Sequence, residues 1–201
     1  MFIQVITGRV KDRAGIERLD QRWADELLPG ATGFLGSTTG ATPDGRFFAA
    51  SRWESADAAR ANSERPEQGA WWSEMQEFMA DVEFHDCERV ITLGGGGSDD
   101  AGFVQVMQGH VDDPAAIDRL TSIFEGHDDV MRDARPDVLG EVIAVHGDGN
   151  GYSNIVYFTS ERDARANESK EMPADAAAML EEAMTLAPVD TYFDLTEPNL
   201  R

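Results

Sequence analysis

The sequence predicts an α+β protein in which two copies of one βαββαβ unit pack together within a single chain as one α/β barrel. Three observations predict it: an internal repeat, a glycine-rich segment between the copies, and the same order of apolar patterns in each copy. Residues 2–19 and 103–120 match at ten of eighteen positions without a gap. A repeat of this length defines the structural unit, so it is interpreted before any other pattern.

The repeat continues beyond this stretch. The segment ARANSE at 59–64 corresponds to ARANES at 164–169, and the offset between the copies rises from 101 to 105 along the chain. Loop insertions produce such changes, because loops absorb extra length at low cost. The predicted domains are therefore residues 1–93 and 102–197, and residues 94–101 are a predicted flexible Gly-rich linker.

The first copy begins with a predicted strand at residues 2–10, which are rich in β-branched and apolar side chains. A helix is predicted next, because apolar residues recur at helical spacing and Gly30 supplies a C-cap. Residues 33–39 and 46–53 predict a hairpin, since a Pro-Asp-Gly turn connects them. The apolar positions of the helix are Ile16, Leu19, Trp23 and Leu27.

A second helix and a fourth strand complete the first copy. Ser55 is a candidate N-cap for this helix, which Pro66 interrupts. Residues 82–86 alternate apolar and polar side chains and predict the fourth strand. The second copy repeats this order, with its hairpin at residues 138–146 and 152–159.

A βαββαβ unit with both helices on one face of its sheet is the ferredoxin-like arrangement. The helices cover one face, but the other face of the first strand is apolar too, with Ile3 and Val5. Both faces therefore have to be buried. The sister sheet is the economical cover, so we expect the two sheets to face each other as an intramolecular barrel. The expected assembly is a monomeric pseudo-dimer or a homodimer of it.

Charge and cysteine content limit the partners and the compartment. The net charge is −21, from 38 acidic and 17 basic residues. Phosphates and anionic membranes attract basic patches, so we expect neither nucleic acid nor a membrane as a partner. There is no apolar run of membrane-spanning length and no signal-peptide pattern. Cys87 is the only cysteine, which suits a reducing compartment, and we expect a cytoplasmic location.

The segment WESADAARANSERPEQGAWW at 53–72 carries a family resemblance. An aromatic residue closes the third strand, a polar turn follows, and an amide side chain lies nine residues after the aromatic one. These residues are Trp53, Glu54, Ser55 and Asn62 in the first copy, and Phe158, Thr159, Ser160 and Asn167 in the second. The pattern resembles the antibiotic biosynthesis monooxygenase-like branch of the dimeric α/β-barrel superfamily, in a tandem, fused form. Members of this superfamily differ in activity, so the resemblance implies the fold more specifically than the reaction.

The resemblance implies an O₂-dependent reaction. The quinone-forming monooxygenases of this type oxidise phenolic polyketides with O₂ and no cofactor. They use a Trp on strand three, an Asn four residues before it and a Tyr six residues after it. Trp53 fits the first position, but alanines occupy the other two. In the second copy Asn154 precedes Phe158 by four residues, and an alanine replaces the Tyr. Neither copy holds the full set.

No metal site and no cofactor are predicted. The heme-degrading members need an axial His in helix two, where the alignment places Trp72, which cannot ligate iron. The four histidines lie in four different elements without metal-ligand spacing. No Gly-rich nucleotide fingerprint opens a helix. The histidines are His85, His110, His127 and His146.

Six side chains are candidates for a site between helix two and the sheet. Asn62 and Asn154 are the candidate catalytic residues, because an amide can stabilise a developing oxyanion. The candidate substrate-binding residues are Trp53, Trp72, Phe158 and Asn167. Structural alternatives stay open, since Asn62 and Asn167 also suit a helix break and the aromatic residues also suit an ordinary core.

Two further polar features have structural interpretations. Gln4 and Gln105 occupy equivalent strand positions, and we expect them to bond each other across the pseudo-twofold axis, because buried amides need partners. His85 on the fourth strand is a possible base without an identifiable partner.

The sequence favours two functions nearly equally. The first is a cofactor-independent, monooxygenase-like enzyme that uses O₂ to oxidise an aromatic or polyketide-type small molecule. The second is a binding or stress-associated barrel that holds a small apolar ligand without catalysis, and the incomplete residue sets favour it. The expected partner is a small aromatic molecule for the enzyme and a small apolar ligand for the binding protein.

Overall fold

The computed structural model describes residues 1–125 and 128–201. The chain forms two compact units, one of Met1–Glu88 with Asn199–Arg201 and the other of Arg89–Pro198. Each unit has one five-stranded antiparallel sheet. His127, one of the four histidines considered above, lies outside the described residues.

The first unit contains four consecutive strands and three helices. The strands are β1 (Phe2–Val10), β2 (Phe34–Ala41), β3 (Arg46–Trp53) and β4 (Met79–Cys87). The helices are α1 (Arg13–Arg22), α2 (Ala56–Ser63) and α3 (Pro66–Glu77). Two short helical turns, Trp23–Leu27 and Leu28–Gly30, extend α1 to the glycine predicted to end it.

The second unit contains the next five strands and four helices. The strands are β5 (Arg89–Leu93), β6 (Phe103–His110), β7 (Val138–Val145), β8 (Gly151–Phe158) and β9 (Val189–Leu195). The helices are α4 (Ala115–Glu125), α5 (Asp128–Ala134), α6 (Glu161–Glu168) and α7 (Ala174–Leu186). The last strand of the chain, β10 (Asn199–Leu200), returns to the first sheet.

The two sheets have the same strand order, β10-β2-β3-β1-β4 and β5-β7-β8-β6-β9. The last four strands of each order are those of a ferredoxin-like βαββαβ unit, which confirms the predicted tandem fold. The remaining strand of each sheet comes directly after the other copy in the chain: β10 follows the second copy and joins the first sheet, and β5 follows the first copy and joins the second sheet. The predicted first domain ends at residue 93, whereas the first compact unit ends at Glu88, because the backbone of β5 is hydrogen-bonded to β7.

The helices pack on one face of each sheet. In the second unit, Ile117 of α4 and Ala183 of α7 join one core cluster with Ile143 and Tyr152 of the sheet. In the first unit, α1 and α3 pack against the face that carries Phe47 and Ala49. The opposite faces are buried as well, with Ile3, Val5, Phe48, Val104, Val106 and Tyr157 each at most 1% exposed. Both faces of each sheet are therefore apolar and buried, as the alternation of side chains predicts.

The predicted helix starts are confirmed. The hydroxyl of Ser55 accepts from the backbone N–H of Ala58 at 3.1 Å, and that of Ser160 accepts from the N–H of Asp163 at 3.1 Å. Each serine therefore caps the helix that follows the third strand of its repeat. Pro66 starts α3 because the first position of a helix needs no N–H donor. No helix in residues 1–125 and 128–201 is long and apolar enough to cross a membrane.

Candidate active site

The main candidate site lies on the helix-facing side of the second sheet. The strands β7 and β8 pair in the register Glu141↔Val156 and Ile143↔Asn154. Residues two apart on a strand share a face, so Glu141 and Asn154 lie on the same face as Ile143. Ile143 packs against α4 and α7, which identifies this face as the one that the helices cover.

Glu141 and Asn154 form a short hydrogen bond. The Nδ2 of Asn154 donates to Oε1 of Glu141 at 2.6 Å. The Oδ1 of Asn154 is buried and has no hydrogen-bond partner among the residues that the structure describes. The reverse orientation of the amide would place an oxygen against the carboxylate, so an ionised Glu141 fixes the amide. As residues, both are half-buried rather than closed off from solvent. The pair therefore combines an acid with a buried acceptor that has no partner among the described residues.

Burial controls the protonation of this acid. Burial raises the pKa of Glu141 from 4.5 to about 7, and the hydrogen bond from Asn154 acts in the opposite direction. Removal of the carboxylate from water disfavours its charged form, while a donor favours that form. Glu141 therefore exchanges its proton close to neutral pH, which is the range that a general base requires.

A second polar group lies on the same face of the sheet. The amide of Gln105 donates to Oδ1 of Asp194 at 2.9 Å, and Arg165 of α6 binds the other oxygen of Asp194 at 2.5 Å. In the first unit the amide of Gln4 likewise donates to Asp86, at 3.0 Å. The expected bond between the two glutamines is therefore replaced by one bond in each unit, because the neighbouring edge strand offers a carboxylate.

Phe158 and Asn167 lie in different surroundings. Phe158 is buried, with its ring centroid 5.5 Å from that of Phe103 and the guanidinium of Arg135 5.4 Å from its centre. Asn167 donates to the backbone carbonyl of Asp163 at 2.9 Å and accepts from Lys170 at 2.7 Å. Phe158 shares the face of Asn154, whereas the amide of Asn167 is already bonded on both sides.

The remaining candidates lie in the first unit. The indole N–H of Trp53 donates to Ser51 at 3.0 Å, and its ring packs edge-on against another aromatic ring. Asn62 is buried and accepts from Arg65 at 2.8 Å. Trp72 is half-buried, and its ring centroid lies 5.2 Å from that of the exposed Phe84. The same arginine also donates to the carbonyl oxygen of Leu27 at 3.0 Å, so Asn62 holds a contact between α2 and the end of the first helix.

The first unit differs at the positions equivalent to Glu141 and Asn154. Its strands pair as Ser37↔Ser51 and Thr39↔Ala49, so Ser37 corresponds to Glu141 and Ala49 to Asn154. Ser37 is 6% exposed and Ala49 is 7% exposed. This half therefore has no acid and no amide at the equivalent places.

An ion pair lies beside Ser37 in the first unit. The backbone of Arg201 exchanges two hydrogen bonds with that of Ser37, at 2.6 and 3.0 Å. The guanidinium of Arg201 binds both oxygens of Asp20 at 3.0 and 2.6 Å, and Asn199 also donates to Asp20. The polar groups in this region are thus bonded to one another.

The three described histidines lie in different surroundings. His110 pairs with Asp190 at 2.9 Å on the surface, and buried His146 contacts Ser153 at 2.9 Å. Within residues 1–125 and 128–201, no group of three or more His, Cys, Asp and Glu side chains is placed to hold a metal ion. His85 of β4 lies 3.9 Å from Glu83.

Glu141 is not among the site residues predicted from the sequence. The signal was present, because Glu141 is the only charged residue in the strand VLGEVIAV. A charged residue in a strand that is otherwise apolar is seldom buried without a partner. Its partner Asn154 lies across the hairpin, so only the strand register connects the two residues.

No protein-family model matches the sequence, and no curated protein is similar to it in sequence. Solved structures match over the full length. A candidate monooxygenase from Lactobacillus acidophilus NCFM has a TM-score of 0.73 at 11% identity, covering 100% of this chain and 98% of that chain. A candidate monooxygenase from Fusobacterium nucleatum has a TM-score of 0.76 at 8% identity, with coverage of 100% and 93%. An anthrone oxidase-like protein has a TM-score of 0.70 at 11% identity, with coverage of 100% and 92%.

These likenesses concern the fold alone, because the identities are low. The chain has the fold of these three full-length neighbours, and its two ferredoxin-like repeats agree with the tandem fold that the sequence predicts.

Proposed function

We propose that this chain oxidises an anthrone-type aromatic molecule with O₂, without a bound cofactor, on the helix-facing side of its second sheet. The observation that carries the proposal is the pair of Glu141 and Asn154, with an amide oxygen that has no partner among the described residues. A buried polar atom without a partner costs about 1–3 kcal/mol. Its presence in a well-packed region is therefore best explained by a ligand that completes it.

The class of reaction is supported by the fold. Two full-length structural neighbours are candidate monooxygenases, and a third is described as anthrone oxidase-like. Fold alone does not define an activity, so the argument depends on the polar pair and not on these names.

The proposed reaction converts a ring CH₂ group into a carbonyl. One O₂ is consumed: one oxygen atom forms the new C=O bond, and the other leaves as water with the two hydrogens of the CH₂ group. The carbon loses four electrons and O₂ gains four, so no further oxidant or reductant is needed. Loss of the first proton gives an electron-rich anion that reacts with O₂. The protein contributes by placing the ring for this reaction.

The candidate residues have different weights in this proposal. Asn154 is proposed to contact the oxygen atoms of the ring, and Phe158 to contribute to the apolar wall. Asn62 and Asn167 remain proposed ligand contacts of lower weight, because their amide oxygens already accept from Arg65 and Lys170. Trp53 and Trp72 remain proposed aromatic contacts in the first unit.

Oxygen uptake with anthrone tests the proposal. Wild-type protein is expected to consume O₂ faster than the uncatalysed reaction, with one O₂ per anthraquinone formed. Asn154→Ala is expected to lower kcat/KM by about tenfold, the value of one hydrogen bond between Oδ1 and the ligand. Gln76→Ala, which removes an exposed amide on α3, is the control and should keep the wild-type rate. Asn62→Ala in the same assay measures the contribution of the first unit.

The contradicting result is an uptake equal to the uncatalysed rate. Calorimetry with anthraquinone then separates the two functions: saturable binding without turnover supports the ligand-binding alternative. The four tryptophans, Trp23, Trp53, Trp71 and Trp72, all lie in the first unit. A change of tryptophan fluorescence therefore reports ligand near the first unit, while calorimetry reports ligand bound anywhere.

A further inference from the structure

Glu141 is the only ionisable side chain of β7, and its place in the strand is unusual. On the same face of the strand, the next residue toward the hairpin is Ile143. Toward the start of the strand, the next position falls in the bulge at Val138–Gly140. Its register partner on β5 is Leu93 and its register partner on β8 is Val156, both apolar. The acid is therefore held by apolar strands and receives a single hydrogen bond, from Asn154.

Among the residues that the structure describes, two ion pairs and two tyrosines also lie on this face. Arg89 of β5 binds Asp118 of α4 at 2.5 Å. Arg165 of α6 binds Asp194 of β9 at 2.5 Å. The remaining groups are Tyr152 of β8, whose hydroxyl donates to the carbonyl oxygens of Ala187 and Pro188, and the exposed Tyr192 of β9. Each charged group of these two ion pairs is bonded to its own partner, so neither pair supplies Glu141 with a counter-ion.

We infer that Glu141 is the base that removes the proton from the substrate, and that Oδ1 of Asn154 accepts a hydrogen bond from a hydroxyl group of the same molecule. The inference rests on the function proposed above and assigns a catalytic residue and a substrate feature to it. Three observations carry it: the 2.6 Å bond between the two side chains, the unpartnered Oδ1 among the described residues, and their shared helix-facing side.

The amide of Asn154 connects the base Glu141 with the contact to the substrate hydroxyl. Its Nδ2 donates to Glu141 and thereby turns Oδ1 away from the acid. An acceptor can be satisfied only by an O–H or N–H group, so the ligand has to carry a donor. A phenolic hydroxyl of an anthrone that lies away from the ring carbonyl supplies such a donor, whereas one next to the carbonyl already donates to it. The substrate is therefore a hydroxylated ring system and not its methyl ether.

The proton transfer is balanced within the site. The carboxylate of Glu141 takes one proton from the ring CH₂ group, the C–H electron pair remains on the ring, and the anion reacts with O₂. The resulting peroxide anion takes the proton back from Glu141. Loss of the second C–H proton and of hydroxide then forms the carbonyl and water, and Glu141 is again ionised. A carboxyl with a pKa of about 7 is suited to both transfers at neutral pH.

The test uses Glu141→Gln, because glutamine keeps the size of the side chain and an oxygen that can accept from Asn154. With anthrone and O₂, kcat/KM of wild type is expected to rise with pH and to level off above about 7. Glu141→Gln is expected to lose about 100-fold or more of kcat/KM and the pH-dependent rise. Glu141→Asp keeps a carboxylate and is expected to recover part of the rate with a pH-dependent profile. Glu181→Gln, which removes an exposed carboxylate on α7, is the charge control.

A second arm tests the substrate feature. Wild type is expected to turn over 3-hydroxyanthrone with a kcat/KM about tenfold higher than that of its methyl ether, relative to the uncatalysed rates, which is the value of one hydrogen bond. In Asn154→Ala this ratio should fall close to one. An unchanged ratio would overturn the assignment of Oδ1.

The outcomes separate this inference from the proposed function. If wild type does not accelerate O₂ uptake, the proposed function and the inference both fall. If wild type is active and folded Glu141→Gln keeps its rate and pH profile, the function stands and the base is another group. Urea denaturation of each variant shows whether a lost rate reflects a lost fold.

Discussion

The two units share one strand order, yet they treat the same two positions of their sheets in opposite ways. In the second unit these positions hold Glu141 and Asn154, a short-bonded pair with an unpartnered oxygen among the described residues. In the first unit they hold Ser37 and Ala49, both buried, and an ion pair of Arg201 with Asp20 lies alongside. The second unit therefore carries a destabilising polar pair on its helix-facing side, and the first unit has no such pair at the equivalent positions.

This difference indicates where function lies in a duplicated fold. A desolvated acid and an unpartnered acceptor both lower stability, so their presence in a core needs a compensating use. The first unit shows that the fold does not need them, because it forms the same sheet with Ser37 and Ala49. The following predictions test this contrast, from the largest expected effect to the smallest.

The pH dependence of stability should depend on Glu141. In the folded state this carboxyl keeps its proton up to about pH 7, compared with an ordinary pKa of 4.5. The folded state therefore binds the proton more tightly, and its stability falls as pH rises from 4.5 to 7, by about 3 kcal/mol in total. Glu141→Gln removes this loss, so its free energy of unfolding relative to wild type should rise by about 3 kcal/mol between pH 4.5 and pH 8.

Urea denaturation at each pH measures this difference. Glu181→Gln, at an exposed site on α7, should show no such change. A difference between Glu141→Gln and wild type that stays constant with pH would show that the carboxyl of Glu141 is not desolvated.

Ala49→Asn places in the first unit the amide that the second unit has. Ala49 packs in an apolar cluster with Phe47 and Met75 and has no acid beside it. We expect a loss of about 2 kcal/mol in the free energy of unfolding, because the amide is buried without partners. Ala61→Asn on the exposed side of α2 is the matched control and should cost about 0.5 kcal/mol through helix propensity. Equal costs for the two variants would remove the contrast between the units.

Asp20→Asn opens the ion pair of the first unit. The side chains of Arg201 and Asp20 are 17% and 23% exposed, and two hydrogen bonds join them. We expect a loss of about 1 kcal/mol in the free energy of unfolding that becomes smaller in high salt. The control is Asp57→Asn, whose pair with Arg60 is well exposed and should contribute about 0.5 kcal/mol or less. A larger loss in the control would contradict the structural importance of the Arg201 contact.

Local signals made the fold predictable from the sequence. The first strand was predicted at the residues where β1 lies, and Ser55 and Ser160 cap the predicted helices. These features depend on side-chain alternation and on a serine close to the backbone that it caps. The duplication added strength, because each copy supported the assignment of the other.

The short strands β5 and β10 were not predictable in the same way. Nothing within residues 89–93 or 199–200 shows which sheet they join, because pairing is decided by partners far along the chain. The acid of the candidate site shows a similar limit. Glu141 stands out in the sequence, but its proximity to Asn154 follows from the register of β7 and β8 and from the bulge at the start of β7.

The reciprocal placement of β5 and β10 has a consequence for engineering. A fragment cut at the glycine-rich segment would carry a strand with no sheet of its own to join, and would lack an edge strand that its own sheet uses. The exposed strand edge would then be free to recruit another chain, which favours aggregation or domain swapping. The repeats are therefore copies in sequence but not separable modules, and a working half would have to be built as a rearranged chain rather than cut from this one.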